Sequence, residues 1–218
     1  MVDIMRSRFD EQLGLLNRKM IEMGAECESI IALSAKALLE GKVSYADKAR
    51  EQGHKIDQME REIESICLKL LLQQQPVAKD LRVISAALKM ITDMERIGDQ
   101  AEDIAEIIGY LNGENLNGSV PVQEMAQAAI KMVTESVDAY VNKDVVLAEK
   151  VLKEDDIIDE YFMESKRRLI KMVADNPENG EYALDLLMVT KYFERIGDHA
   201  TNIAEWVIFS VTGVHEES

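Results

Sequence analysis

DMERIGDQAEDIAE (Asp93 to Glu106) and KYFERIGDHATNIAEW (Lys191 to Trp206) decide how this chain folds. ERIGD is identical in both, and IAE follows at the same distance in each, so Glu95 corresponds to Glu194. Turned at about 100° per residue, the first stretch and the residues after it put Met94, Ile97, Ala101, Ile104, Ala105 and Ile108 on one arc. Glu95, Asp99 and Asp103 line the opposite arc, with Glu102 and Glu106 beside them. Such a segment is an amphipathic helix with a core face and a carboxylate stripe. In the second stretch Phe193, Ile196, Ala200, Ile203 and Val207 take the core arc, while Glu194, Asp198, Asn202 and Glu205 take the stripe. Gly98 and Gly197 fall at the edge of the core. Glycine costs about 1 kcal/mol in a helix interior, so its double occurrence points to a close helix–helix approach.

Outward from these stretches, helical periodicity is interrupted at Gly41, Gln75-Pro76, Asn112 to Pro121, Lys143-Asp144 and Asn176 to Gly180. The pattern predicts six helices over about 8–40, 45–74, 78–111, 121–142, 145–174 and 180–212. LNGENLNGSVP is the longest and most polar break, and it divides the chain into halves of three helices each. With the internal repeat, this predicts an all-α protein of two tandem, sequence-related three-helix bundles, residues 1–113 and 114–218.

Side chains four residues apart are neighbours on a helix, roughly 6 Å from one another. Glu95, Asp99 and Asp103 thus align three carboxylates, and no Lys shares their arc; Arg96 and Arg195 flank the two stripes. Like charges at that spacing mildly destabilise a helix. The preceding helix adds more: Asp57 and Glu95 are equidistant from Pro76, so an antiparallel hairpin sets them at one height. The same count about Asn176-Pro177 brings Asp155, Asp156, Asp159 and Glu160 beside Glu194 and Asp198. Oxygen-only clusters suit hard cations such as Mg²⁺, Ca²⁺ or Mn²⁺, and also iron. The alternative reading is a solvated acidic face.

Composition narrows the function. The net charge of −16 gives no basic footprint for nucleic acid or an anionic membrane, and instead suits cations, basic partners or solubility. Cys27 and Cys67 sit in apolar helical patterns without metal-ligand spacing, as buried reduced thiols would. The N-terminus lacks an apolar signal core and the apolar runs are too short to span a bilayer, so a cytoplasmic location is expected. Glu51-x-x-His54 has the spacing of a ferritin-like ligand pair but occurs once, and neither His199 nor His215 has a Glu three residues before it. His54 therefore reads as a surface residue or an accessory ligand near Asp57. No glycine-rich phosphate loop or GxSxG motif is present. Met20, Met23, Met90, Met94, Met125 and Met132 read as core.

LLLQQQPVAKDLRVISAALKMITDMERIGDQAEDIAE (Leu70 to Glu106) closely resembles the signature of the PhoU family, as does KYFERIGDHATNIAEW. RSRFDEQL and the later EMG of the first helix also fit, and the resemblance covers nearly the whole chain. It implies two similar bundles side by side, with metal motifs at Glu95, Asp99 and Asp103 and at Glu194 and Asp198. Asn202 replaces the last acid of the second motif, which implies a weaker site. With Asp57, Asp155 and Asp159 from the neighbouring helices, these are the expected ligands of divalent or trivalent ions: iron, zinc, magnesium or manganese. The implied function is negative regulation, not catalysis. The family links the Pst phosphate transporter, through its ATPase subunit, to a phosphate-sensing histidine kinase, and its members are often homodimers. A metal-dependent enzyme and a metal-storage protein are the competing readings, although an outward stripe lacks the concave site an enzyme needs.

Overall fold

The computed structural model describes residues 2–73, 77–111 and 118–214. Within them run α1 (Val2–Glu40), α2 (Val43–Gln73), α3 (Ala78–Glu106), α4 (Val122–Asn142), α5 (Val145–Asp175) and α6 (Gly180–Thr212). Short 3₁₀ turns follow α3 (Ile107–Gly109) and precede α6 (Pro177–Asn179), and no strand occurs among the described residues. The chain is an all-α protein of two sequence-related three-helix bundles, α1–α3 and α4–α6. The Gln75-Pro76 break, residues 112–117 with the expected domain boundary, and His215 fall outside the described residues.

Local chemistry ends the helices where the sequence breaks. Gly41 (φ 63°) and Lys143 (φ 56°) take the left-handed conformation after α1 and α4. Asp144 then caps α5 by accepting from the Leu147 N–H at 3.0 Å. Asn176 accepts from the Glu178 N–H at 3.1 Å, and Pro177 opens the turn into α6. Two helices differ from expectation. α1 begins at Val2, because no Gly or Pro before residue 8 interrupts it. α3 stops at Glu106, because its last turn tightens and the Tyr110 N–H bonds the Ile107 carbonyl at 2.9 Å.

The apolar arcs read from the sequence are the core. Met94, Ile97, Ala101, Ile104, Phe193, Ile196, Ala200, Ile203 and Val207 have no exposed surface. Met20, Met23, Met90, Met125 and Met132 are buried as well, so methionine fills the space between helices. Burying one such large side chain stabilises the fold by about 1.5–3 kcal/mol. Cys27 and Cys67 are buried free thiols; burial pushes the Cys67 thiol up to about 12 and raises Cys27 further.

α3 packs on α6 at the seam between the bundles, and α1 packs on α4 beside it, with Gly24 against Val137. Asp93 near the middle of α3 meets His199 and Asn202 of α6, while Gly213 just past α6 lies against Arg82 near the start of α3. The two helices therefore run antiparallel, and an approximate twofold axis crosses the seam. Buried Asp93 is satisfied there: its Oδ1 accepts from Asn202 Nδ2 at 3.1 Å and lies 3.0 Å from His199 Nδ1.

Gly98 and Gly197 mark equivalent close approaches in the two bundles. A Cβ on Gly98 would lie 3.1 Å from Ile56 Cδ1, and one on Gly197 would lie 3.1 Å from Ile158 Cδ1. Ile158 thus repeats the role of Ile56, which fixes the register between α5 and α2. Gly98→Val should overpack this contact and cost about 1–3 kcal/mol. Thermal unfolding should show the double variant with Ile56→Ala costing less than its two single changes added together, because the two sites share one contact. Simple additivity would mean that the glycine does not serve this approach.

Candidate metal centre

The Ile56–Gly98 contact places the next residue of each helix side by side. Asp57, Glu95 and Asp99 each offer an oxygen within 4.8 Å of the other two. Oxygens on opposite sides of a bound Mg²⁺ or Ca²⁺ are about 4–5 Å apart, so the spacing and the donor type fit a hard cation. Glu60, one turn along α2 from Asp57, adds a fourth carboxylate. Burial raises the Glu95 carboxyl above its ordinary range first, and Asp99, Glu60 and Asp57 raise it further. Asp99 is raised by burial and then by Asp57, and Glu60 by burial, Glu64 and Asp57. Arg96 and Arg61 stand at the rim and oppose the shifts of Glu95 and Glu60 only in part.

The α5–α6 edge repeats the arrangement with changes. Asp159 takes the register position of Asp57, and Glu194 and Asp198 take those of Glu95 and Asp99. Asp155 enters where α2 has Gly53, and Phe162 stands where α2 has Glu60. Asp155 Oδ1 is buried without a hydrogen-bond partner, the kind of orphaned oxygen that a cation satisfies. Burial first, then Asp159, Asp198, Glu194 and Asp156, push the Asp155 carboxyl up to about 6. Asp156 and Glu160 line a shallow outer depression with Asp159, Met163, Glu164 and Arg167.

The last members of the two expected stripes sit elsewhere. Positions i, i+4 and i+8 drift by about 40° per step around a helix, so the third residue has turned some 80° from the first. That drift carries Asp103 off the α2–α3 edge toward the seam, where Arg195 partly offsets the rise caused by burial, Glu106 and Asp99. Asn202, its counterpart, likewise turns to the seam and donates to Asp93. His54 is exposed, and its charge draws the neighbouring Glu102 carboxyl down against a larger upward push from burial. Two residues of these edges were missed by the sequence reading, Glu60 and Lys191. Each had a signal: Glu60 lies three residues after Asp57, and Lys191 three residues before Glu194, with which it forms an ion pair.

Asp155 gives a pH test on metal-free protein. Its folded pKa of about 6 lies above the usual carboxylate value of 3.8, so the folded state binds the proton more tightly. Its contribution to stability is therefore complete below the lower value, and falls away as pH rises to about 6. Asp155→Asn should raise the midpoint of thermal unfolding at pH 7 by about 2–4 °C, equivalent to about 1 kcal/mol after solvent screening, and change it little near pH 3.5. An equal effect at both pH values would show that ionisation of Asp155 carries no cost.

Comparison with known proteins agrees with this architecture. The family described as "PhoU domain" matches residues 20–108 and again 122–207. The phosphate-specific transport system accessory protein PhoU homolog of Clostridium acetobutylicum is 35% identical over 95% of this chain and 96% of its own length. Its namesake from Pseudomonas aeruginosa is 34% identical over 94% of this chain and 86% of its own. The crystal structure of PhoU from Pseudomonas aeruginosa superposes with a TM-score of 0.86 at 33% identity, covering 94% of this chain and all of that one. The phosphate transport system regulatory protein PhoU from Streptococcus pneumoniae shares the fold at 23% identity, with a TM-score of 0.88 over 96% of this chain and all of that one. Two matched domains, one in each bundle, and relatives aligned over almost the full length establish that the chain belongs to the PhoU family.

Proposed function

We propose that this chain is an accessory and negative regulator of phosphate transport, acting in the cytoplasm as a metal-binding adaptor between the ATPase subunit of a phosphate transporter and a phosphate-sensing histidine kinase. The observation that carries the transport reading is alignment over most of their length with relatives named as accessory proteins of the phosphate-specific transport system. The adaptor reading rests on architecture: two similar bundles joined along one seam present two similar outward edges. Among the described residues no helix is long and apolar enough to cross a membrane.

Metal belongs to the same proposal. Asp57, Glu95 and Asp99 would hold an ion on the first bundle, with Glu60 beside them; Asp155, Asp159, Glu194 and Asp198 would do so on the second. A bound cation supplies positive charge that relieves the repulsion among these carboxylates and changes the field a partner meets. The chain's own residues supply the recognition surface. Because a binding protein transmits a signal only through different affinities for two states of its partner, metal loading has an effect only where the partner contacts a charged edge.

Deleting the gene in its host, with no second copy present, should leave phosphate-starvation transcription switched on in phosphate-rich medium, and restoring the chain should switch it off. Normal repression in the deletion strain would overturn the regulatory reading. Metal is tested separately on purified protein. Glu95→Gln with Asp99→Asn should remove the metal bound by the first bundle while the helical circular dichroism is unchanged. Metal content unaffected by this pair, and by Glu194→Gln with Asp198→Asn, would return both edges to plain solvated surface.

A further inference from the structure

The two edges are built on one plan, yet their charges differ at one decisive position. The α2–α3 edge carries four carboxylates, Asp57, Glu60, Glu95 and Asp99, and no lysine. The α5–α6 edge also carries four, because Asp155 is gained at the position of Gly53 while Glu60 gives way to Phe162. Thr92 stands on α3 one turn before Glu95, and its hydroxyl donates back to the Leu88 carbonyl at 3.4 Å. Its counterpart on α6 is Lys191. The Lys191 ammonium pairs with Glu194 and lies 5.5 Å from the centre of the Phe162 ring. Both substitutions in the second bundle act together, since the aromatic face that replaces Glu60 also receives the ammonium. Glu194 is largely buried, with 13% of its side chain exposed, so this pairing takes up an oxygen that has little other access to solvent. The geometry agrees: among the described residues only Asp57, Glu95 and Asp99 bring three ligand oxygens within 4.8 Å.

We propose that Lys191 is a built-in counter-cation that occupies Glu194 and makes the α5–α6 edge the weaker of two metal patches, so that the chain loads its first bundle before its second. An ion entering the second patch must displace the ammonium from Glu194 or bind beside a like charge. At the first patch no ammonium pairs with Glu95, and the rim guanidiniums of Arg96 and Arg61 offset the raised carboxyls only in part. The proposal rests on the metal reading above and assigns a residue that tunes it.

The test uses the full chain freed of metal and titrated with Mn²⁺, the free ion being followed by electron paramagnetic resonance. Glu95→Gln with Asp99→Asn silences the first patch, so the remaining binding reports the second. In that background Lys191→Met should tighten Mn²⁺ binding about tenfold or more, and Lys191→Arg, which keeps the charge, should leave it weak. The converse change, Thr92→Lys in the otherwise unaltered chain, should weaken the first patch by a similar factor and remains decisive if Lys191→Met fails to fold. Wild-type binding with no change on Lys191→Met or Thr92→Lys would overturn this inference and leave the metal reading intact. No Mn²⁺ binding by the wild-type chain at millimolar ion would overturn both.

Discussion

The seating of one isoleucine against one glycine, made once in each bundle, governs the rest of this molecule. Ile56 reaches Gly98 and Ile158 reaches Gly197 at distances that a Cβ would crowd. The residue after each partner is an aspartate, Asp57 beside Asp99 and Asp159 beside Asp198. Core packing thus sets the spacing of the surface charges. The carboxylates cannot spread apart without lifting the isoleucine from its place, and a large apolar side chain contributes about 1.5–3 kcal/mol by staying there. Repulsion between like charges one turn apart on a helix surface is worth only a few tenths of a kcal/mol per pair, and partial burial adds to it at these edges. Packing wins, and the acidic edges persist as consequences of the core.

The same helices serve a second purpose on another face. α3 and α6 turn their glycine edges toward α2 and α5, and present Asp93, Asp103, His199 and Asn202 to each other. The seam is not symmetric in chemistry, although the fold is nearly so in shape. Asp93 finds two donors on α6, whereas Tyr192, which takes the place of Asp93 on α6, faces Asp103 and is raised by burial and by that carboxylate. A buried carboxylate with partners on only one side fixes which residue meets which. It opposes sliding along the seam, which would strand a polar group in the core.

Much of this was legible in the sequence because it follows from helical geometry alone. The arcs of Met94 to Ile108 and of Phe193 to Val207 marked the core, and counting outward from Pro76 set Asp57 against Glu95. Where the reading stopped, the reason was geometric too. An i, i+4, i+8 row looks continuous on paper, yet its drift sends Asp103 and Asn202 to a different neighbour from Glu95 and Glu194. The packing of the halves across α3 and α6 was not legible, because Asp93, His199 and Asn202, which meet there, read from sequence as more of the polar surface of their helices. The Lys191–Glu194 pair went unread because a lysine stem reaches several ångströms in many directions, and only its surroundings, here the Phe162 ring, decide where the charge rests.

On the metal proposal, duplication with divergence would give a single chain two responses to one ion. Were the edges identical, metal would fill both over the same concentration range, and the surface charge would change in one step. Unequal edges would spread the change over a wider range. Linkage then constrains any partner that contacts an edge. If such a partner binds the metal-loaded edge more tightly by some factor, its presence raises the affinity of that edge for the ion by the same factor. On the proposed ranking, the weaker edge would be the more responsive one, because a site already filled cannot gain occupancy when its affinity rises. By this argument the second bundle, with its lysine held against Glu194, is the place where partner binding and metal loading would be most strongly read through one another.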